Sequence, residues 1–161
     1  MKTLLMILTL SYCGIVFSQN SNDVKGWRGT EWGMSSDSVK NLFTNEITML
    51  KKTNIYFNSF NPFMIKDYEI SGHKFNVDFF FTGDTHKLDQ IQIKSYWSRD
   101  VANSLEIILT EKYGIPSFKA ESPYKCQWKF ESTLIEIEQV EINDKLILIY
   151  KQPDKSSKSK I

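Results

Sequence analysis

The dominant pattern in this chain is the alternation of apolar and polar residues, which is typical of a strand with one buried face. It is clearest at residues 75–81, where Phe75, Val77, Phe79 and Phe81 occupy every second position. The same alternation predicts further strands at residues 65–70, 91–97, 124–130, 135–138 and 146–150. Short turns at Ser71-Gly72 and Asn143-Asp144 separate neighbouring strands, so we expect antiparallel pairing.

Apolar residues spaced three or four apart predict a first helix after Ser35, a good N-cap residue. We expect this helix from Ser36 to about Asn45, and its continuation through Ile47 to Leu50 stays open. Asp37 lies in the first turn, where a carboxylate favours the positive end of the helix dipole.

A second helix is predicted after Ser98 or Asp100, either of which can cap it. Gly114 suits the position just past the helix, and Pro116 forbids its continuation. Its apolar positions are Val101, Leu105, Ile108, Leu109 and Tyr113.

A helix followed by three strands therefore occurs twice, which suggests two pseudo-repeats. Because the strands are half polar, one sheet face should be covered and the other wet. The predicted fold is α+β, with two helices packed on one face of an antiparallel meander sheet. Trp128 shares the apolar side of its strand with Tyr124, Cys126 and Phe130.

An aromatic stretch precedes this meander and is harder to interpret. The asparagines near residues 54–62 favour turns, so we predict a short strand at 54–58 followed by a loop. Tyr56, Phe57, Phe60 and Phe63 form either a ligand-facing wall or a cover over the edge of the core. Both alternatives stay open.

The amino terminus has the features of a cleaved export signal. Lys2 precedes an apolar run from Leu4 to Val16, and Ser18 suits a cleavage site, so residues 1–18 are predicted to be a signal peptide. The run is too short to span a membrane. Cys13 follows the bulky Tyr12, which does not suit a lipidation signal. We expect the protein to be periplasmic or extracellular.

Residues 19–152 are then expected to form one domain, and the Lys- and Ser-rich residues 153–161 a disordered tail. The segment between the leader and the first helix contains Trp27 and Trp32, which we expect to anchor it to the domain. Gly33 provides the turn that leads into the cap at Ser35.

Composition excludes several functions. The lysines of the tail leave the domain slightly acidic, which argues against nucleic-acid binding. Cys126 is the one cysteine after the leader, so no disulfide is expected, and its apolar neighbours should make the thiol inert. His73 and His86 fall at opposite ends of one strand and cannot share a metal. We expect no metal or other cofactor.

Carboxylates offer the remaining candidate chemistry. Glu136 and Glu138 lie on one strand face, a spacing that could support acid–base work. On the polar face of a strand, such residues are more often solvated cross-strand partners. The sequence has no glycine-rich phosphate loop and no Gly-x-Ser-x-Gly nucleophile motif.

Two short motifs carry a resemblance. Trp32-Gly33-Met34-Ser35, with Val39 after it, and Lys112-Tyr113-Gly114-Ile115-Pro116 resemble a family of small exported bacterial proteins of unassigned function. More remotely, the chain is similar to the SmpA/OmlA assembly lipoproteins and the β-lactamase-inhibitor-like fold. The resemblance implies a binding or assembly role on an α+β scaffold, and it implies no catalytic residue.

The resulting expectation is an exported, non-enzymatic binding or assembly module whose partner is a protein or another envelope component. A narrower version is a hydrolase inhibitor that uses a concave sheet. The alternatives are an enzyme with carboxylates assembled from separate strands and a ligand carrier with a cavity lined by Phe57, Phe60 and Phe63.

Overall fold

The computed structural model describes residues 23–56 and 58–153, with the side chains of residues 52–56 left out. The predicted signal peptide, Cys13, Phe57, the side chain of Tyr56 and the tail beyond Pro153 lie outside this description. The helices are α1 (Ser36–Leu42) and α2 (Arg99–Tyr113), and a 3-10 turn covers Glu141–Asn143. The strands are β1 (Ile47–Tyr56), β2 (Ser59–Ile70), β3 (His73–Thr82), β4 (Leu88–Tyr96), β5 (Phe118–Glu121), β6 (Tyr124–Lys129), β7 (Leu134–Val140) and β8 (Lys145–Lys151).

The eight strands form one antiparallel sheet in the order β1-β2-β3-β4-β8-β7-β6-β5. The expected α+β class and antiparallel sheet are therefore confirmed. Strands β1 to β4 and strands β5 to β8 each run as a meander, and the pairing of β4 with β8 joins the two. Each helix precedes four strands, whereas the sequence pattern predicted three.

Register aligns the apolar residues of successive strands into a continuous row, because directly paired residues share a sheet face. Most of the row is fully buried. From β1 to β6 it consists of Ile47, Ile65, Val77, Ile93, Leu148, Ile137 and Cys126. Val39 of α1 and Phe43, which follows the helix, belong to the same hydrophobic cluster. Ala102, Leu105 and Leu109 of α2 belong to it as well.

The first helix is shorter than predicted. It is capped as expected, since the Ser35 hydroxyl accepts from the backbone N–H of Ser38, but it ends at Leu42. Leu42 is 48% exposed, and the helix region buries Val39 and Phe43 instead. Ile47 and Leu50, assigned to a possible helical continuation, lie in β1. Two β-branched residues at the start of this segment favour the strand.

The predictions of a short strand at 54–58 and of a loop after it were also wrong. β1 is ten residues long, and β2 starts at Ser59 and runs through Asn61-Pro62. Met49 pairs with Phe63 and Asn54 with Asn61, so residues 50–53 bulge opposite Pro62. A bulge disturbs the ladder little at this point, because proline has no N–H to donate.

The ends of α2 agree with the sequence pattern. Ser98 is the N-cap, although its side chain makes no capping hydrogen bond, and Gly114 follows the helix with a φ of 84°. The indole N–H of Trp128 donates to the Gly114 carbonyl at 2.8 Å, which ties the helix end to β6. The edge strand β5 was missed because its exposed residues carry no alternation.

The segment before α1 is held by two tryptophans. The Trp27 ring is buried and lies 5.9 Å from the Phe43 ring and 5.3 Å from the Tyr68 ring, centroid to centroid. The indole N–H of Trp32 donates to the hydroxyl of Thr133 at 2.8 Å. That hydroxyl in turn donates to the Val24 carbonyl. The β6–β7 turn thus fixes the segment at two points.

Replacing Thr133 with valine should destabilise the fold by about 1–3 kcal/mol, because it leaves a buried carbonyl and an indole N–H without their partner. The free energy of unfolding from chemical denaturation measures this. Thr48→Val, the same change on the edge strand β1, serves as the control and should cost less. Equal stabilities of the two variants would contradict the role of the Thr133 hydroxyl.

Gly26 is required for space. A Cβ at this position would overlap the Thr30 carbonyl, so Gly26→Ala should cost about 2 kcal/mol or more. Gly29 has a φ of 85° and open space around it, so Gly29→Ala should cost about 1 kcal/mol through backbone strain alone. Thermal unfolding of both variants tests the order, and a larger loss for Gly29→Ala would refute it.

Candidate functional site

The second face of the sheet, called the polar face below, carries the candidate site. Its residues alternate along each strand with those of the buried row, so they lie on the other side of the sheet. One row across it consists of Met64, Asp78, Gln92, Ile149, Glu136 and Gln127. The next row consists of Asn76, Lys94, Ile147, Glu138 and Lys125. Charged, amide and aliphatic side chains are therefore neighbours across the strands of the polar face.

This face is less solvated than an open polar surface. Phe80 and Ile149 are buried, and Glu136 is only 3% exposed. Asp78, Lys94 and Ile147 are half-buried. Apolar side chains therefore lie beneath the charged groups on this side of the sheet.

Glu136 is the centre of the first charge cluster. Lys151 Nζ lies 2.6 Å from its Oε2, and Lys125 Nζ lies 3.0 Å from its Oε1. The side-chain amide of Gln127 donates to the same Oε1 at 2.6 Å. Lys125 also reaches Glu138 at 3.4 Å. Two lysines and two glutamates thus balance one another across three neighbouring strands.

The pKa of Glu136 reflects this pairing. Burial on its own would raise the pKa, but hydrogen bonds from Lys151, Lys125 and Gln127 outweigh it and hold the pKa below its usual value of 4.5. The expectation of solvated partners was therefore wrong for Glu136. Its neighbours are long side chains that both pair with the carboxylate and cover it.

A second cluster lies on the other half of the polar face. Asp78 Oδ2 pairs with Lys94 at 2.9 Å, and its Oδ1 accepts from the Asn61 amide at 2.7 Å. Lys94 also lies 5.2 Å from the centre of the Phe80 ring. Asn61 is buried, and its Oδ1 has no hydrogen-bond partner among the described residues. Both oxygens of Asp78 are thus held in place.

A pocket of about 290 Å³ opens beside this second cluster. Met64, Asp78 and Lys94 line it together with the strand ends, which contribute Lys74, Asn76, Tyr96 and Lys145. Tyr96 is 75% exposed, and Lys145 Nζ lies 3.7 Å from the centre of its ring. Ser95, Asp67 and part of Phe75 complete the lining.

The aromatic residues proposed from sequence do not gather at this pocket. Phe63 is 2% exposed and packs 5.6 Å from both Phe79 and Phe81, which favours the alternative that it covers the core over a place on a binding surface. The alternation of β2 points it into the core. Phe60 is half-buried against Phe81 and His86. Tyr56 lies in β1, paired with Ser59.

Lys94, Tyr96 and Lys145 were not singled out from sequence. The alternation in β4 does place Lys94 on the face away from Ile93. Tyr96 is an aromatic residue on that same polar face. No local signal, however, shows that β8 pairs with β4 and brings Lys145 to Tyr96.

Cys126 lies in the core on the opposite face of the sheet. Burial raises the pKa of its thiol, and its Sγ lies 3.6 Å from the Tyr124 hydroxyl. That hydroxyl donates to Glu106 at 2.6 Å. A thiol with a raised pKa is a poor nucleophile, so these contacts support a structural role.

The two histidines occupy the positions expected of them. His73 opens β3, and His86 follows its end. Within the described part of the chain, no three His, Cys, Asp or Glu residues gather closely enough to hold a metal ion. None of the helices in that part is long and apolar enough to cross a membrane.

Comparison with known proteins does not assign the site. No protein-family model, curated protein or solved structure matches the chain significantly.

Glu136→Gln should lower the free energy of unfolding at neutral pH by about 1–3 kcal/mol, because Lys125 and Lys151 lose a charged partner. Since the folded pKa of Glu136 is depressed, its stabilisation is present above pH 4.5 and is lost as the pH falls further. Denaturation at pH 7 and in the acid range tests this. The difference in the free energy of unfolding between the unmodified protein and the variant should disappear below pH 4.5. A difference that does not depend on pH would contradict the assignment.

Proposed function

We propose that this protein is an exported, non-enzymatic binding or assembly module of the cell envelope, and that the polar face of its sheet holds a protein partner. The observation that carries the proposal is the composition of that face. Buried and half-buried apolar side chains lie between ion pairs that are already formed. The leader sequence supports export, and the sequence resemblance supports a binding role.

Such a surface suits protein recognition for two reasons. Specific interfaces combine an apolar centre with a polar surround, and here Ile147 and Ile149 lie between the two charge clusters. Charged groups that are fixed before binding lose little side-chain entropy when a partner arrives. Asp78 and Glu136 each have both oxygens engaged by neighbouring side chains.

We further propose that both helices pack on the apolar face and leave the polar face open. Two contacts support this: the Phe43 ring lies 5.4 Å from Phe79, and Glu106 of α2 binds Tyr124. Phe79 and Tyr124 both belong to the hydrophobic cluster that contains the buried row. An open sheet face of this kind is what a hydrolase inhibitor of the β-lactamase-inhibitor-like fold would need.

The proposal also treats the chain as two related units of a helix and four strands. Similar arginine arrangements occur ahead of α1 and at the first residue of α2. Arg28 lies 5.4 Å from the Trp27 ring and pairs with Glu46, while Arg99 lies 5.5 Å from the Trp97 ring and pairs with Glu121.

The enzyme alternative receives less support. A general acid needs a raised pKa, whereas that of Glu136 is lowered. Glu136 and Glu138 share Lys125 and are therefore engaged with their own neighbours. These contacts favour a surface that binds over one that transfers protons.

Site-directed photocrosslinking of the full chain in its native envelope tests the proposed function. A benzophenone amino acid at Gln92 or at Gln90, both on the polar face, should capture a defined protein. The same probe at Glu111, which is exposed on α2, is the matched control and should not. Capture from Glu111 alone, or from none of the three positions, would refute the proposal.

A further inference from the structure

Among the described residues, some charged side chains of the polar face have an ion-pair partner and others do not. In the Glu136 half, both glutamates have lysine partners within 3.4 Å. In the pocket half, Asp78 is neutralised by Lys94 and also bound by Asn61. Lys74 and Lys145 form no ion pair within the described part of the chain. Both of these lysines line the pocket.

The acidic groups nearby do not cancel these two lysines. Asp67 lines the pocket but forms no ion pair among the described residues, and Glu69 lies opposite Lys74 in the strand register, where it is exposed. An exposed pair of this kind interacts weakly in water. The lining contains three lysines and two aspartates, a formal excess of one positive charge that an additional negative charge would balance.

Tyr96 adds an apolar anchor beside this positive region. Its ring is largely exposed, and Lys145 Nζ lies over one side of it. Tyrosine is one of the residues enriched among those that dominate the binding energy of protein interfaces. The pocket and the ring together can accept a carboxylate side chain and the apolar stem that carries it.

We propose that the protein partner presents an acidic side chain, and that its carboxylate enters the pocket between Lys74, Lys94 and Lys145 while Tyr96 packs against its neighbours. This inference rests on the proposed function and names the chemistry of the partner. The pocket is the specific anchor, and the paired half of the polar face provides the surrounding contact surface.

An NMR titration of the full chain tests the pocket directly. The probe is a blocked, glutamate-rich hexapeptide, with its glutamine counterpart as the matched control. The glutamate peptide should shift the signals of Lys74, Tyr96 and Lys145, and added salt should weaken the binding. Shifts that are equal for both peptides, or that lie away from the pocket, would overturn the inference.

Charge reversal provides the second measurement. Lys74→Glu combined with Lys145→Glu should weaken peptide binding by roughly tenfold or more. Lys40→Glu combined with Lys112→Glu makes the same change at exposed helix positions outside the pocket and should have little effect. The amide spectrum verifies that each variant is folded, and Lys145→Gln offers a milder change that should give a smaller loss in the same direction.

Two further experiments distinguish a protein carboxylate from an anionic membrane, and separate a failure of this inference from a failure of the proposed function. Tighter binding to phosphatidylglycerol vesicles than to the peptide, through the same lysines, would overturn the inference in favour of a membrane surface. If the Gln92 photoprobe captures its partner equally well in the double charge-reversal variant, the acidic anchor is refuted while the proposed function stands. If the photoprobe captures nothing in the unmodified chain, it is the proposed function that fails.

Discussion

The pairing of β4 with β8 is the constraint on which the rest of this structure depends. Its register runs without interruption from Gln90 opposite Lys151 to Tyr96 opposite Lys145. This pairing turns two separate meanders into one sheet of eight strands. Ile93 and Leu148 meet there and complete the buried row, which would otherwise end at an exposed edge in both halves. The hydrophobic core is thus shared between the two halves of the chain.

The same register builds the polar face. A strand directs alternate residues to opposite sides, so the pairing that buries Ile93 and Leu148 also places Lys145 against Tyr96. A slip of β8 by one residue would move Leu148 and Lys145 to the opposite faces of the sheet. The core packing and the position of Lys145 at the candidate site are therefore set by the same register.

Much of the fold was predictable because its signals are local. The alternation in β3, β6 and β8 and the Gly114-Pro116 stop of α2 depend on neighbouring residues alone. The misses share a different cause. Ile47 and Leu50 have helical spacing but lie in a strand, since pairing with β2 outweighs a weak helix signal. The loop predicted after residue 58 was wrong because β2 continues through Pro62 opposite a bulge in β1, which the local sequence does not reveal.

By itself, the sequence determined which residues are apolar on alternate positions, where the clearer turns fall and that Cys126 is buried. It could not decide the site, because the distance from Tyr96 to Lys145 along the chain says nothing about their contact in space. Only the tertiary structure could show that Phe63 and Glu136 are both buried, for the same reason. Burial depends on what the neighbouring strands place around a side chain, and those strands are distant in sequence.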